Sequence, residues 1–347
     1  MRRALLDTLV DLAERDPRVV LLTGDLGFTV IEPFAERFPE RFFNVGVAEQ
    51  NMIGLATGLA EAGLIPFTYS LATFTSLRPY EFIRNGPVLH GLPVRMIGVG
   101  GGFDYGVQGA THHGLEDLGV LRLLPGLTVL APADHRQLET AVRATWDLPG
   151  PVYYRVGKDD TTTVPGLDGR FALGRAEVVP ETETRPDPAD GRGAGGVGGV
   201  GRVGGASGAG GDTDGGGVQV VLVSTGAVAV AAEQAVSTLR AEGVACTAVV
   251  VASIAPAPVH DLVRLLRGVP LVVTAEAHHA VGGLGSLVAE VVADHGLGCR
   301  LIRQGVHLRP GGPVGSQAWF HERAGLTPEA LVAVVTEALA AGRGPDA

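Results

Sequence analysis

The feature that most constrains this chain is a repeated alternation of short apolar runs with longer helix-like stretches. Up to about residue 165, apolar runs at 19–26, 65–70, 94–100, 128–133 and 151–156 read as strands, separated by helix-like patterns at 48–62, 76–90, 114–123 and 134–147. Strands that alternate with helices in this way predict a parallel sheet covered by helices on both faces. Asp134 follows the 128–133 strand directly and is a candidate N-cap for the next helix. The rhythm stops between 181 and 217, where Pro, Asp and Glu give way to a run of glycines. It resumes at 218, with strands at 218–226, 245–253, 270–276 and 299–306 and helices at 227–242, 257–267, 284–295 and 328–341. The expected fold class is α/β, built as two doubly wound domains over 1–165 and 218–347 and joined by a glycine-rich flexible linker at 181–217. A phosphate cradle is the sharper reading of those glycines, but no Gly-Lys-Ser/Thr ending follows and no strand directly precedes them.

Composition limits the possible partners. A chain of 347 residues, 46% of them hydrophobic, can build two ordinary cores. A net charge of −10 and the absence of any basic patch interleaved with aromatics argue against a nucleic-acid-binding protein. Cys246 and Cys299 lie in apolar runs without metal-ligand spacing, so reduced thiols are expected rather than a disulfide framework. The N-terminal stretch lacks the apolar core of a signal peptide, and no run of about 18 uninterrupted apolar residues predicts a membrane span. A cytoplasmic protein with no membrane attachment is expected.

The most informative single residue is Glu49, set in Gly46-Val47-Ala48-Glu49-Gln50-Asn51-Met52-Ile53-Gly54 at the head of an Ala/Gly/Leu-rich helix pattern. A carboxylate among such neighbours is costly to bury without a specific partner. The alternative is that it only complements the helix dipole from the first turn. Downstream, Phe67, Tyr69 and Phe74 form an aromatic cluster, followed by Tyr80. A segment from Gly109 to Leu118 carries the adjacent pair His112 and His113, and Arg155 lies in a run of apolar and aromatic residues. Taken alone, the histidine pair is a surface-loop feature or too few ligands for a metal site, and Arg155 is equally well an ion-pair partner at a strand end.

Together these segments resemble the pyrimidine-binding and C-terminal domains of the transketolase family. The resemblance implies thiamine diphosphate as cofactor, with Glu49 gripping its aminopyrimidine as a partner in a proton relay. It implies that Phe74 stacks on that ring, with Tyr80 and Asp25 also on the cofactor side, whereas Phe67 and Tyr69 belong to the core. Gly109-Ala110-Thr111-His112-His113 is similar to the family's Gly-x-Thr-His-Gln segment. By that match His112 faces the reacting carbons as an oxyanion donor, with His113 and Gln108 beside the substrate. Arg155 matches an arginine that binds sugar phosphate in the family, and Arg2 and Thr29 match further phosphate contacts. In the second domain, residues 274–286 resemble the family's Glu-x-His…Gly-Gly-Leu-Gly-Ser turn, which makes His278 and His279 fold or dimer residues.

Two departures bear on substrate choice. Glycines fill Val99 to Phe103 where many transketolases have a donor-contacting His, and Gln108 replaces an acceptor-reading Asp. A larger difference concerns the metal. The family holds Mg²⁺ and the diphosphate at a Gly-Asp-Gly motif in an N-terminal domain, and no such motif occurs here. No metal ligand is therefore assigned to this chain. The expectation is the C-terminal half of a split transketolase, inactive alone, whose N-terminal-half subunit holds Mg²⁺ and diphosphate. By analogy it forms an α2β2 heterotetramer around a β–β dimer and acts on sugars or sugar phosphates. The alternatives are a deoxyxylulose-phosphate-synthase-like enzyme, a 2-oxoacid dehydrogenase E1 β subunit, or a non-catalytic scaffold subunit.

Overall fold

The computed structural model describes residues 1–181, 218–307 and 312–342. Two twisted sheets organise them. The larger has seven strands in the order β10-β5-β6-β4-β3-β1-β2, formed by β1 (Val19–Thr23), β2 (Phe42–Asn44), β3 (Ile65–Leu71), β4 (Arg95–Val99), β5 (Thr128–Leu130), β6 (Val152–Val156) and β10 (Ser253–Ala255). The smaller has five in the order β12-β11-β8-β9-β7, formed by β7 (Glu177–Val179), β8 (Val220–Ser224), β9 (Cys246–Val250), β11 (Leu271–His279) and β12 (Arg300–Val306). Every pairing is parallel except the two edge strands β10 and β7, which run antiparallel to β5 and β9. β1, β3, β4, β6 and β8 are buried along their whole length. Strands covered on both faces read as continuous apolar runs, which is why the sequence shows no two-residue alternation there.

The two sheets are not independent. β10 comes from the second half of the chain yet closes an edge of the first sheet, and Ala131 N–H donates to Ala252 O at the same junction. One buried cluster runs from Met52, Ile53 and Met96 through Leu118 and Val129 to Val221, Val249 and Leu287. It joins one face of the large sheet to the second domain. The opposite face is covered by the helices Arg2–Arg15 and His135–Thr145, which bury Leu5, Leu9, Leu138 and Val142. Asp134 caps the second of these, accepting from Gln137 N at 2.8 Å and from Val164 N at 2.9 Å.

Several local expectations differ from what forms. The single helix expected at 76–90 is three pieces, Ala72–Leu77, Tyr80–Ile83 and a wide turn over Arg84–Val88. Pro79 and Pro87 interrupt it, since proline lacks the N–H that a helix interior needs. The helices Arg2–Arg15, Glu32–Arg37 and Gln317–Arg323 and the three-residue strands β2, β7 and β10 were not anticipated. By length and composition Gln317–Ala341 could cross a membrane. Gly325, at φ +67°, and Pro328 instead divide it into two helices, and Leu331 and Val335 are buried in the second core. The linker reading of 181–217 falls almost wholly outside the described residues.

Candidate active site

The site forms where open parallel sheets ordinarily bind ligands, beyond the carboxyl ends of the strands. Gly24 follows β1, Glu49 opens the helix after β2, Ser70 and Phe74 lie at and beyond the end of β3, and His112 sits in the loop after β4. Glu49 is 2% exposed, with Met52 and Ile53 fully buried behind it. Val47, two residues before it, is exposed. Glu49 Oε1 accepts from Ser70 Oγ at 3.3 Å, and Oε2 accepts from Arg78 Nη1 at 2.8 Å. The carboxylate thus has specific partners as well as a position in the first helical turn.

Arg78 links this carboxylate to the aromatic bed. Its guanidinium carbon lies 3.8 Å from the Phe74 ring centroid, and the His112 ring approaches the same phenylalanine edge-on at 5.2 Å. His112 Nδ1 is 2.9 Å from Thr111 Oγ1, so the hydroxyl orients the imidazole. Glu49, Phe74 and His112 are therefore brought together as the sequence suggested, whereas Arg78, Ser70 and Thr111 were missed. The signal for Arg78 was its spacing of four residues from Phe74, which places both on one side of a helical turn. The arrangement also tests cofactor fit. A flat group bearing N–H already lies on Phe74 and donates to Glu49, which is the shape and polarity an aminopyrimidine would present.

Other expected site residues are placed differently. Arg155 is 6% exposed; its Nη2 donates to Gly114 O at 2.5 Å and Ala277 O at 2.8 Å, and its Nε lies 3.1 Å from Asp117 Oδ2. Tyr153 donates its hydroxyl to the same Asp117 oxygen at 2.7 Å. The ion pair with Asp117 fits the strand-end alternative: Nη2 is held by two carbonyls and Nε lies beside the carboxylate, while Arg155 also lines a small cavity with Gly101, Asp104 and His321. Tyr80 is likewise packed against the core, with its hydroxyl donating to Val120 O at 3.0 Å. His113 sits edge-on to Phe103 and Phe320, at centroid distances of 5.1 and 4.9 Å, and burial lowers its pKa. It belongs to an aromatic seam with the second domain rather than to an open cleft.

The remaining candidates lie around the rim. Asp25, at φ +59°, is exposed and accepts from Asn44 Nδ2 at 2.9 Å beside the β1 exit. Thr29, at φ +70°, is exposed and its N–H donates to Glu32 Oε1 at 2.7 Å. Gln108 ends an exposed turn, and Arg2 is half-buried on the first helix. The glycines at 100–102 have structural reasons. A Cβ on Gly100 would lie 2.1 Å from the Tyr105 ring, and one on Gly101 would lie 1.9 Å from Arg155 Nε. Behind the site, His278 is buried and accepts from Gly119 N at 3.1 Å, tying the two halves of the chain together. Among the described residues no group of three or more His, Cys, Asp or Glu side chains is arranged to hold a metal ion.

Comparisons with known proteins place the chain in a family. Residues 1–163 match the family model for the transketolase pyrimidine binding domain, and residues 210–331 match that for the transketolase C-terminal domain. The chain is 34% identical over 310 residues to a Methanocaldococcus jannaschii protein provisionally described as a transketolase C-terminal section, covering 88% of this chain and 86% of that one. It is 30% identical over 306 residues to a subunit of the apulose-4-phosphate transketolase of Phocaeicola vulgatus, covering 87% and 86%. A 1-deoxy-D-xylulose-5-phosphate synthase of Geobacter sulfurreducens is 30% identical over 348 residues, covering 98% of this chain but 48% of the synthase. Among solved structures, a split-gene transketolase described as an inactive beta4 tetramer superimposes with a TM-score of 0.76 at 34% identity, covering 98% of this chain and 97% of that one. The two family models matched in this order, with relatives covered over most of their length, make the chain a member of the thiamine-dependent transketolase family.

Proposed function

We propose that this chain is the pyrimidine-site subunit of a heteromeric, thiamine-diphosphate-dependent transketolase that moves a two-carbon ketol unit between sugars or sugar phosphates. The observation that carries this reading is the buried Glu49 carboxylate engaged by an N–H donor lying on Phe74, with His112 at the ring edge. A relative named as a section and another named as a subunit are each covered to 86% of their length, and the split-gene chain to 97%, which supports a subunit rather than a fragment of the activity. Thiamine diphosphate, when bound, supplies the electron sink for breaking and making a bond beside a carbonyl.

The chain's own residues would supply the rest. Glu49 Oε2, the oxygen now meeting a guanidinium N–H, would accept from the ring nitrogen of the pyrimidine and hold a proton there. Met52 and Ile53 exclude water behind it, which strengthens that interaction. Phe74 would bear the ring's face, and His112, half-buried and steadied by Thr111, would donate to oxygen as negative charge develops. Mg²⁺ and the diphosphate are assigned to an N-terminal-half partner, within an α2β2 assembly. A deoxyxylulose-phosphate-synthase-type reaction is the second reading, favoured by identity spread over nearly the whole chain.

The carbon donor separates the two. The complex purified from its own source, offered a ketose donor with an aldose acceptor, is expected to transfer the ketol unit. Turnover with pyruvate alone as donor would move the assignment to the synthase-type reaction. Turnover with neither, in a complex free of thiamine diphosphate, would leave the scaffold reading in front.

A further inference from the structure

We propose that Arg78 is an internal occupant of the aminopyrimidine seat, so that the arginine side chain and the cofactor ring exclude one another and Arg78 must swing out before the ring enters. The inference rests on the cofactor reading given above and goes beyond it, because it concerns the state of the seat before any cofactor arrives.

Position explains how the side chain reaches the seat. Phe74 lies within the helix Ala72–Leu77, and Arg78 caps its C-terminus with helical backbone angles of −61° and −48°. Side chains on a helix lean towards its N-terminus, so a residue four positions on falls back over the earlier one. The guanidinium consequently lies 3.8 Å from the Phe74 centroid while Nη1 donates to Glu49 Oε2 at 2.8 Å. Both surfaces that an aminopyrimidine needs, an aromatic face and a carboxylate edge, are engaged by one side chain. A guanidinium suits both because it is planar, delocalised and bears N–H groups around its rim.

Burial explains why such an occupant is useful and why it can leave. Glu49 is 2% exposed, and a carboxylate that deep is poorly tolerated without a counter-charge. Arg78 supplies that charge in the cofactor-free chain. Its own side chain is 43% exposed, so the guanidinium can rotate into water while Glu49 stays fixed by its helix and by Ser70. A half-exposed pair is a weak hold, screened by solvent and salt. The result is a latch that neutralises the site without sealing it.

The test is a calorimetric titration of the full chain with 4-amino-5-hydroxymethyl-2-methylpyrimidine, the ring half of the cofactor without its diphosphate. Removing a competing occupant of this strength should tighten binding in Arg78→Ala by roughly five- to thirtyfold over the unsubstituted chain. Arg78→Lys, which keeps the charge but not the flat stacking group, should fall between the two. Where the fragment binds too weakly to saturate, the cofactor-stripped complex titrated with thiamine diphosphate reads the same ratio. Side-chain ¹⁵N NMR of Arg78 in the unsubstituted chain should show the guanidinium released as the ligand is added. Equal or weaker binding in Arg78→Ala would overturn the latch and leave the cofactor site standing, since Arg78 would then be a wall of that site. Failure of thiamine diphosphate to bind the complex at all would overturn the site and the latch together.

Discussion

Two buried carboxylates, Glu49 at the start of a helix and Glu276 within β11, illustrate opposite solutions to one problem. Glu49 meets a hydroxyl and a guanidinium and stays within reach of a ligand. On the proposed proton-relay role, Glu49→Ala in the assembled enzyme should lower kcat by about 10²–10⁴-fold while native mass spectrometry shows the assembly unchanged. Retained turnover would remove Glu49 from the chemistry. Glu276 is sealed instead: its two oxygens accept from Leu284 N and Gly285 N, each at 2.7 Å, at the start of the helix Leu284–Asp294. Burial raises its pKa from the ordinary 4.5 to about 7, against the lowering effect of those two hydrogen bonds. Between these values the folded chain holds a proton that the unfolded chain has released. The associated stability is complete below about 4.5 and is lost as pH rises through 7, a change on the order of 3 kcal/mol. Urea denaturation of the original chain and Glu276→Gln should therefore show the difference between them shifting against the original chain from pH 5 to pH 8. A difference independent of pH would contradict this account.

At the scale of elements, legibility followed burial. β1, β3, β4, β6 and β8 were visible in the sequence because strands covered on both faces are predominantly apolar, despite buried polar residues such as Ser70, Arg95 and Arg155. β2, β7 and β10 are three residues each and sit at sheet edges, too short to display any period. The helix Arg2–Arg15 was overlooked although Leu5, Leu9, Leu12 and Ala13 lie on one buried stripe. The proximity of Glu49, Phe74 and His112 through Arg78 involves residues picked out by their local segments. The partners of Arg155 and Tyr80, Asp117 and Val120, were not legible because they are distant in sequence and reachable only through the fold. Asp134 was read correctly as a cap, since that signal is local. Its side chain also accepts from Val164 N, thirty residues away, and is 2% exposed. Asp134→Ala should thus cost about 2–4 kcal/mol by chemical denaturation, the sum of a lost cap and a buried N–H left without a partner. A loss under about 0.5 kcal/mol would mean that water replaces the carboxylate.

At the scale of the whole molecule, the two halves share a core and exchange edge strands, so they form one body that presents the Glu49 site at its surface. Among the described residues no group of three or more His, Cys, Asp or Glu side chains is arranged to hold a metal ion. If the site is divided between two subunits as proposed, the purified chain should be inactive in ketol transfer, with activity appearing only when an N-terminal-half subunit is added. The most direct measurement is native mass spectrometry of the chain purified gently from its own source. A split enzyme should give a heteromeric mass containing a second polypeptide, thiamine diphosphate and Mg²⁺, with the cofactor lost in Glu49→Ala. A homo-oligomer that stays free of cofactor when thiamine diphosphate, Mg²⁺ and source lysate are supplied would contradict it.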